Sequence, residues 1–157
     1  MKKLLFYNDA KNVGGHEFLA IKALELLSKR DYSTTFVISR ANESLFEMLS
    51  EFESIKIVRI DVESTRFQII KNFFNIKKNN MLRAIIRREN PDFIIAVQGN
   101  IEMSSGILIP SKKCSVPVIT YIPLTYKLKD ISNNKFIGAI KDLINRVYFN
   151  IPSYFIT

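Results

Sequence analysis

A chain of 157 residues with 47% apolar side chains is the size of one domain and can bury a core of its own. No apolar run reaches the roughly 18 residues a membrane-spanning helix needs, and Asn8, Asp9 and Lys11 follow the start Met1–Phe6 too soon for a secretory signal. The single cysteine, Cys114, excludes an internal disulfide and fits a reducing, cytoplasmic compartment, while the net charge of +8 suggests either a surface that meets anions or a basic solvated face that keeps the protein in solution.

Leu4–Tyr7 is a run of the buried-strand type, and after a turn the pattern predicts a helix over Glu17–Arg30 with Leu19, Ala20, Ala23, Leu26 and Leu27 on one face. Glu17 at its start and Lys29 and Arg30 at its end suit the helix dipole. Thr34–Ser39 predicts a second strand, Glu43–Glu51 a short helix and Ile55–Ile60 a third strand. Residues 65–89 read as two helical pieces, because Lys77–Asn80 interrupts the apolar stripe. Pro91 stops the second piece, and Phe93–Val97 is an apolar run of the kind found in strands covered on both faces. A helix over 104–112, a strand over Val118–Ile122, a polar loop, a helix over Lys135–Phe149 and a strand from Tyr154 to Thr157 complete the chain. This alternation predicts a Rossmann-like, three-layer α/β/α domain with a mostly parallel sheet, in which ligands bind beyond the carboxyl ends of the strands. A terminal strand of the buried type with nothing after it suggests a piece of a longer protein.

The turn Asn12–Glu17 joins the first strand to the first helix. Gly14 and Gly15 let the backbone approach a ligand there, and the helix N-terminus offers N–H groups to an anion, for which phosphate is the natural guest. The fingerprint G-x-G-x-x-G is missing and the second strand ends in Ser39-Arg40 without an acidic residue for a ribose, which disfavours a dehydrogenase. The absence of G-x-x-x-x-G-K-[ST] disfavours a P-loop NTPase.

The first strand, Gly14-Gly15-His16-Glu17 and the helix Leu19–Leu24 running into Lys29-Arg30 together resemble the opening of glycosyltransferase family 4, whose members typically read G-G-x-E there. Arg87–Ala96 is similar to that family's helix-proline-Asp-strand passage, Val116–Tyr121 to its fifth strand, and Ile151–Thr157 to the strand before its interdomain crossover. The resemblance implies that residues 1–157 are one domain, the N-terminal acceptor-binding half of a GT-B fold, with the donor-binding C-terminal domain absent from this chain. It also implies retaining transfer from a nucleotide-sugar to a glycan or lipid-linked acceptor, as in cell-surface polysaccharide or glycoconjugate biosynthesis, with no metal or other cofactor. Gly14 and Gly15 would lie against the donor diphosphate, and the family's donor-site glutamates would belong to the second domain, so no catalytic residue is assigned here. Many relatives carry a histidine just after the fifth strand, where this sequence has Ile122-Pro123; Tyr121, Thr125 and Tyr126 are the polar candidates to stand in for it as acceptor contacts.

Read from the residues alone, His16 is either a turn residue or an acceptor contact, and Glu17 reads as a first-turn residue that satisfies backbone N–H groups in preference to a catalytic base. Gln98 and Asn100, just after the fourth strand, are hydroxyl-reading groups or parts of a turn. Between Arg66 and Arg88 lie seven basic residues and no acidic one, interleaved with Phe67, Ile69, Ile70, Phe73, Phe74 and Ile76. Such a stretch is either a helix covering the sheet or an interfacial helix, in which Lys71, Lys77 and Lys78 would meet the inner face of a membrane. No nucleic-acid-binding module is recognisable. The alternative to an enzyme is a non-catalytic Rossmann-like binding or scaffold subunit that recruits a separate donor-binding chain, at a membrane.

Overall fold

The computed structural model describes residues 1–28, 30–65, 67–122 and 127–156. In chain order they form β1 (Lys2–Asn8), α1 (Gly15–Ser28), β2 (Tyr32–Ser39), α2 (Glu43–Ser50), β3 (Ile55–Ile60), α3 (Gln68–Phe74) and α4 (Ile76–Glu89). There follow β4 (Phe93–Val97), a 3-10 turn (Ser105–Ile107) running into α5 (Leu108–Lys113), β5 (Val118–Tyr121), α6 (Leu128–Ile131), α7 (Lys135–Phe149) and β6 (Tyr154–Ile156). The short α6 lies where the sequence predicts only a polar loop.

All the strand pairs are parallel, in the order β3-β2-β1-β4-β5-β6, so the domain is Rossmann-like. The pleat sends alternate residues of β1 to opposite faces. Leu4 and Phe6 join Phe36 and Ile38 beneath α1 and α2, with the Phe6 and Phe36 rings stacked at 5.3 Å. Leu5 and Tyr7 join Val37, Ile94 and Ala96 beneath the helices of the opposite face.

Right-handed crossovers decide which face each helix takes. The steps from β1 to β3 move one way and put α1 and α2 on one face; the return to β4 and the steps to β6 put α3, α4, α5 and α7 on the other. The α1 side of β4, β5 and β6 is left without a helix of its own. Phe93–Val97, expected to be covered on both faces, is therefore covered fully on one: Ile94, Ala96 and Val97 are buried, while Phe93 and Ile95 are half-buried.

Two local expectations change. Helix α1 is apolar nearly all round, so periodicity does not choose its inner face; Ala20, Ile21 and Leu24 are buried, whereas Leu19 and Leu26 are exposed. The break in residues 65–89 falls at Asn75, which ends α3 and caps α4 by accepting a 2.9 Å bond from the Lys78 amide at Oδ1. Lys77–Asn80 thus forms the first turn of α4.

Helix α2 is capped by buried Asn42, whose Oδ1 accepts from the Leu45 amide at 3.0 Å while Nδ2 donates to the Ala10 carbonyl at 3.1 Å. Asn42 ties the loop after β1 to the neighbouring helix. Asn42→Ala is expected to lower the unfolding free energy by about 1–3 kcal/mol in urea denaturation, since it removes a cap and leaves a buried carbonyl without its donor.

Candidate functional site

In an open parallel sheet the ligand crevice opens where the strand order reverses, here at the carboxyl ends of β1 and β4. Asp9, the first residue after β1, is wholly buried at this point. A carboxylate withdrawn from water must be met by donors. Its Oδ2 accepts from Tyr7 Oη at 2.9 Å, Gln68 Nε2 at 2.6 Å and Lys78 Nζ at 3.3 Å. Its Oδ1 accepts from the Ser104 amide at 3.1 Å and from the Ser64 hydroxyl. The Asp9 amide donates to Ser104 Oγ at 3.3 Å, and the Asp9 carbonyl accepts from the Ser64 amide at 2.7 Å.

The network extends outward from Lys78, which also donates to Asn72 Oδ1 at 3.2 Å; Asn72 in turn donates to Ser105 Oγ at 3.1 Å. A Cβ on Gly106 would stand 2.5 Å from Lys78 Nζ and 2.9 Å from Tyr7 Oη, so only glycine leaves room for the ammonium. Ser104 holds a left-handed backbone (φ 52°), a conformation costing about 1–2 kcal/mol for a residue with a side chain, and its two bonds to Asp9 keep it there. Burial, with the Asp9 charge beside it, pushes the Tyr7 hydroxyl well above its usual pKa, so it stays a donor.

The second half of the site surrounds Glu17, also wholly buried. Its Oε2 accepts from the Gly14 amide at 2.7 Å, closing half of a capping box on α1. Its Oε1 accepts from Asn8 Nδ2 at 2.7 Å, and His16 Nε2 lies 2.7 Å from the same oxygen, close but out of line for an N–H bond. Burial pushes the Glu17 carboxyl up, yet the combined pull of His16, Asn8 and the Gly14 amide outweighs it and holds the group below its usual pKa of 4.5. The His16 ring rests on Gly99, where an added Cβ would stand 2.9 Å from both Cε1 and Nδ1.

His16 also stands at one end of an apolar groove of about 310 Å³ on the uncovered side of the sheet. Leu19, Ala20 and Ala23 of α1 form one wall, and Ile95, Val97, Ile119, Tyr121 and Ile156 form the floor. The pairing of β5 with β6 sets Tyr121 beside Ile156 along that floor.

The predicted site residues divide on this geometry. His16, Gly14 and Gly15 cluster at the switch point, Tyr121 lines the groove, and Thr125 and Tyr126 lie outside the described residues. The Gly14 amide is taken by Glu17, whereas an added side chain at Gly15 meets nothing within 4 Å, leaving open space there. Neither glycine has a positive φ. Gln98 is fully buried and its Nε2 donates to the carbonyls of Ile101 (3.2 Å) and Met103 (2.7 Å), so it staples its own loop, while its buried Oε1 has no partner among the described residues. Asn100 Oδ1 caps the Glu102 and Met103 amides, which leaves its NH2 group for other partners.

Lys78 is corrected, because its ammonium is buried against Asp9 and cannot meet a membrane; Lys71 and Lys77 are exposed. Asp9, Lys78 and Ser104 escape a reading by motif, since the bonded partners lie 69 and 95 residues apart. The one local signal is the polar pair Asn8-Asp9 at the carboxyl end of an apolar strand.

Lys78→Met, which leaves the Asp9 charge without its ammonium, is expected to cost about 3–5 kcal/mol in urea denaturation. Glu17→Gln is expected to cost about 1–3 kcal/mol at neutral pH, because the amide presents one NH2 edge to the Gly14 or Asn8 donor. The folded pKa of Glu17 lies below its unfolded value, so this contribution is full above pH 4.5 and fades as pH falls through the lowered folded value. Thermal melts should accordingly show parent and variant converging as the solution is acidified below that point.

No protein-family model matches the chain, and a search among curated proteins finds no match. Solved structures do resemble it in fold. MurG of Acinetobacter baumannii superposes with a TM-score of 0.67 at 12% identity over 99% of this chain and 40% of its own. UDP-GlcNAc 2-epimerase of Neisseria meningitidis, solved bound to UDP-GlcNAc, does so with a TM-score of 0.58 at 16% identity over 100% and 46%. Apo UGT2 of Phytolacca americana gives a TM-score of 0.56 at 11% identity over 80% and 30%. The chain spans less than half the length of each of these proteins. Its fold is that of one Rossmann-like domain of GT-B glycosyltransferases and of a sugar-nucleotide epimerase.

Proposed function

We propose that this chain is the acceptor-side domain of a hexosyltransferase that moves a sugar from a nucleotide-sugar to a hydroxyl-bearing glycan or lipid-linked acceptor, as in cell-surface polysaccharide or glycoconjugate biosynthesis. The observation that carries the reading is His16, set at the β1–β4 switch point, 2.7 Å from a buried carboxylate and at the end of an apolar groove. An imidazole with one nitrogen beside a carboxylate is suited to accept a proton at the other once a small turn of the ring brings that N–H into line. The groove would take the apolar part of an acceptor, with Tyr121 and the Asn100 amide as its polar contacts. A donor held by a second domain would place its diphosphate against Gly14 and Gly15, near the N-terminus of α1. The contact would fall on the Gly15 side, since the Gly14 amide already serves Glu17. The setting would be cytoplasmic, at the inner face of the membrane for a lipid-linked acceptor, and the transfer would need no metal.

The resemblance to family 4 favours retention, in which the departing diphosphate can take the acceptor proton. The His16–Glu17 pair favours a second course, inversion, in which His16 takes that proton as the acceptor oxygen attacks the anomeric carbon from the far side. The anomeric configuration of the first-formed product, read by proton NMR, separates the two.

The 157-residue chain alone is expected to show no sugar transfer, and joining it to its donor-binding domain should restore transfer. In that two-domain protein His16→Ala is expected to lower kcat/KM by about 10²–10⁴-fold if His16 is the base, with unchanged far-ultraviolet circular dichroism. Full transfer by the isolated chain would overturn the two-domain reading, and an unchanged kcat/KM for His16→Ala would remove the histidine from the chemistry.

A further inference from the structure

We propose that Gly99 is a positioning residue for His16: by carrying no side chain it seats the imidazole beside Glu17 and keeps Nδ1 clear. The role rests on the reading of His16 as the group that takes the acceptor proton. Glycine often serves where a backbone needs a positive φ, but Gly99 has none, so its backbone would accept any residue. What it cannot accept is the contact. An added Cβ would stand 2.9 Å from both Cε1 and Nδ1 of His16 and 3.3 Å from Met103 Sδ, against the roughly 3.5–4.0 Å at which non-bonded atoms meet without repulsion. Gly14 also borders the ring, yet an added Cβ there would make ordinary contacts with it, 3.6 Å from Cε1 and 3.8 Å from Nδ1. The glycine that the imidazole requires is thus Gly99.

Both surfaces that hold the ring are themselves fixed. On the loop side, buried Gln98 donates to the carbonyls of Ile101 and Met103, Asn100 Oδ1 accepts from the Glu102 and Met103 amides, and Ser104 exchanges two bonds with Asp9. On the helix side, the Glu17 carboxylate accepts from the Gly14 amide and from Asn8 Nδ2, both at 2.7 Å, and Asn8 Oδ1 in turn accepts from the Ala10 amide at 2.9 Å. A methyl group at residue 99 therefore meets a pinned loop, and the part free to yield is the end of the His16 side chain. The ring would swing away, taking Nε2 from its place 2.7 Å from Glu17 Oε1 and Nδ1 from the end of the groove. Moving a reacting group by about 1 Å is enough to cost roughly 10²-fold in rate.

His16 is the chain's one histidine, so every imidazole signal in a proton NMR spectrum belongs to this ring. In the 157-residue chain, nuclear Overhauser peaks are expected from the imidazole Hε1 to the α protons of Gly99 and Gly14. Gly99→Ala should remove the peaks to Gly14 with unchanged far-ultraviolet circular dichroism. In the two-domain protein Gly99→Ala should lower kcat by about 10²-fold with KM little changed. It should cost nothing further in a His16→Ala background, because a residue acting through the imidazole has no effect once the imidazole is gone. Should Gly99→Ala lose its fold, adding His16→Ala is expected to restore it, since the clash is with the ring. The proposal is overturned by a parent chain without the Hε1–Gly99 peaks, by a Gly99→Ala ring that keeps its peaks to Gly14, by an equal loss of kcat in both backgrounds, or by a double variant that stays unfolded. An unchanged kcat/KM for His16→Ala would remove the catalytic reading alone, and the Overhauser peaks would still decide whether Gly99 seats the ring.

Discussion

The carboxylate of Asp9 sits where no water reaches it, and much of the architecture at the carboxyl edge follows from that. A desolvated charge is tolerated only when its oxygens are met by donors and a counter-charge, and these come from four places in the chain: Tyr7 on β1, Ser64 and Gln68 around the start of α3, Lys78 in the first turn of α4, and Ser104 after β4. Each loop is therefore placed against the end of the central strand by a charge-assisted bond. Gly106 opens the space the lysine needs, and the left-handed Ser104 is carried by the bonds it makes. The result is a rigid floor on which a binding loop can keep its geometry.

His16 and Glu17 use that floor from the other side. Glu17 is buried against Asn8, the residue next to Asp9, so the two carboxylates are anchored at adjacent positions of one strand end. The His16 ring lies on Gly99, whose loop is held through Gln98 and through Ser104. The Asp9 network and the imidazole are thus connected by a short run of packed and bonded groups. The apolar groove has a different origin: it exists because successive right-handed crossovers leave one face of β4, β5 and β6 bare, and because α1 is apolar on the side that borders it.

Much of this fold is legible in the sequence because its signals are local. Apolar runs such as Phe93–Val97, the helical spacing in Lys135–Phe149 and the turn at Asn90-Pro91 depend on neighbours a few residues away, and the strand-helix alternation then dictates a parallel sheet. The glycines at the start of α1 and the first-turn role of Glu17 are legible for the same reason. Tertiary structure alone decided the rest. The inner face of α1 could not be chosen while most of its faces are apolar, and the break between α3 and α4 moved to Asn75 because a single side chain there caps the following helix. Lys78 looked like any lysine in a basic run until it met Asp9, a pairing across 69 residues that no local pattern encodes. Periodicity tells a residue which element it joins; only the packing of distant elements tells a charge whether it will face water or a partner.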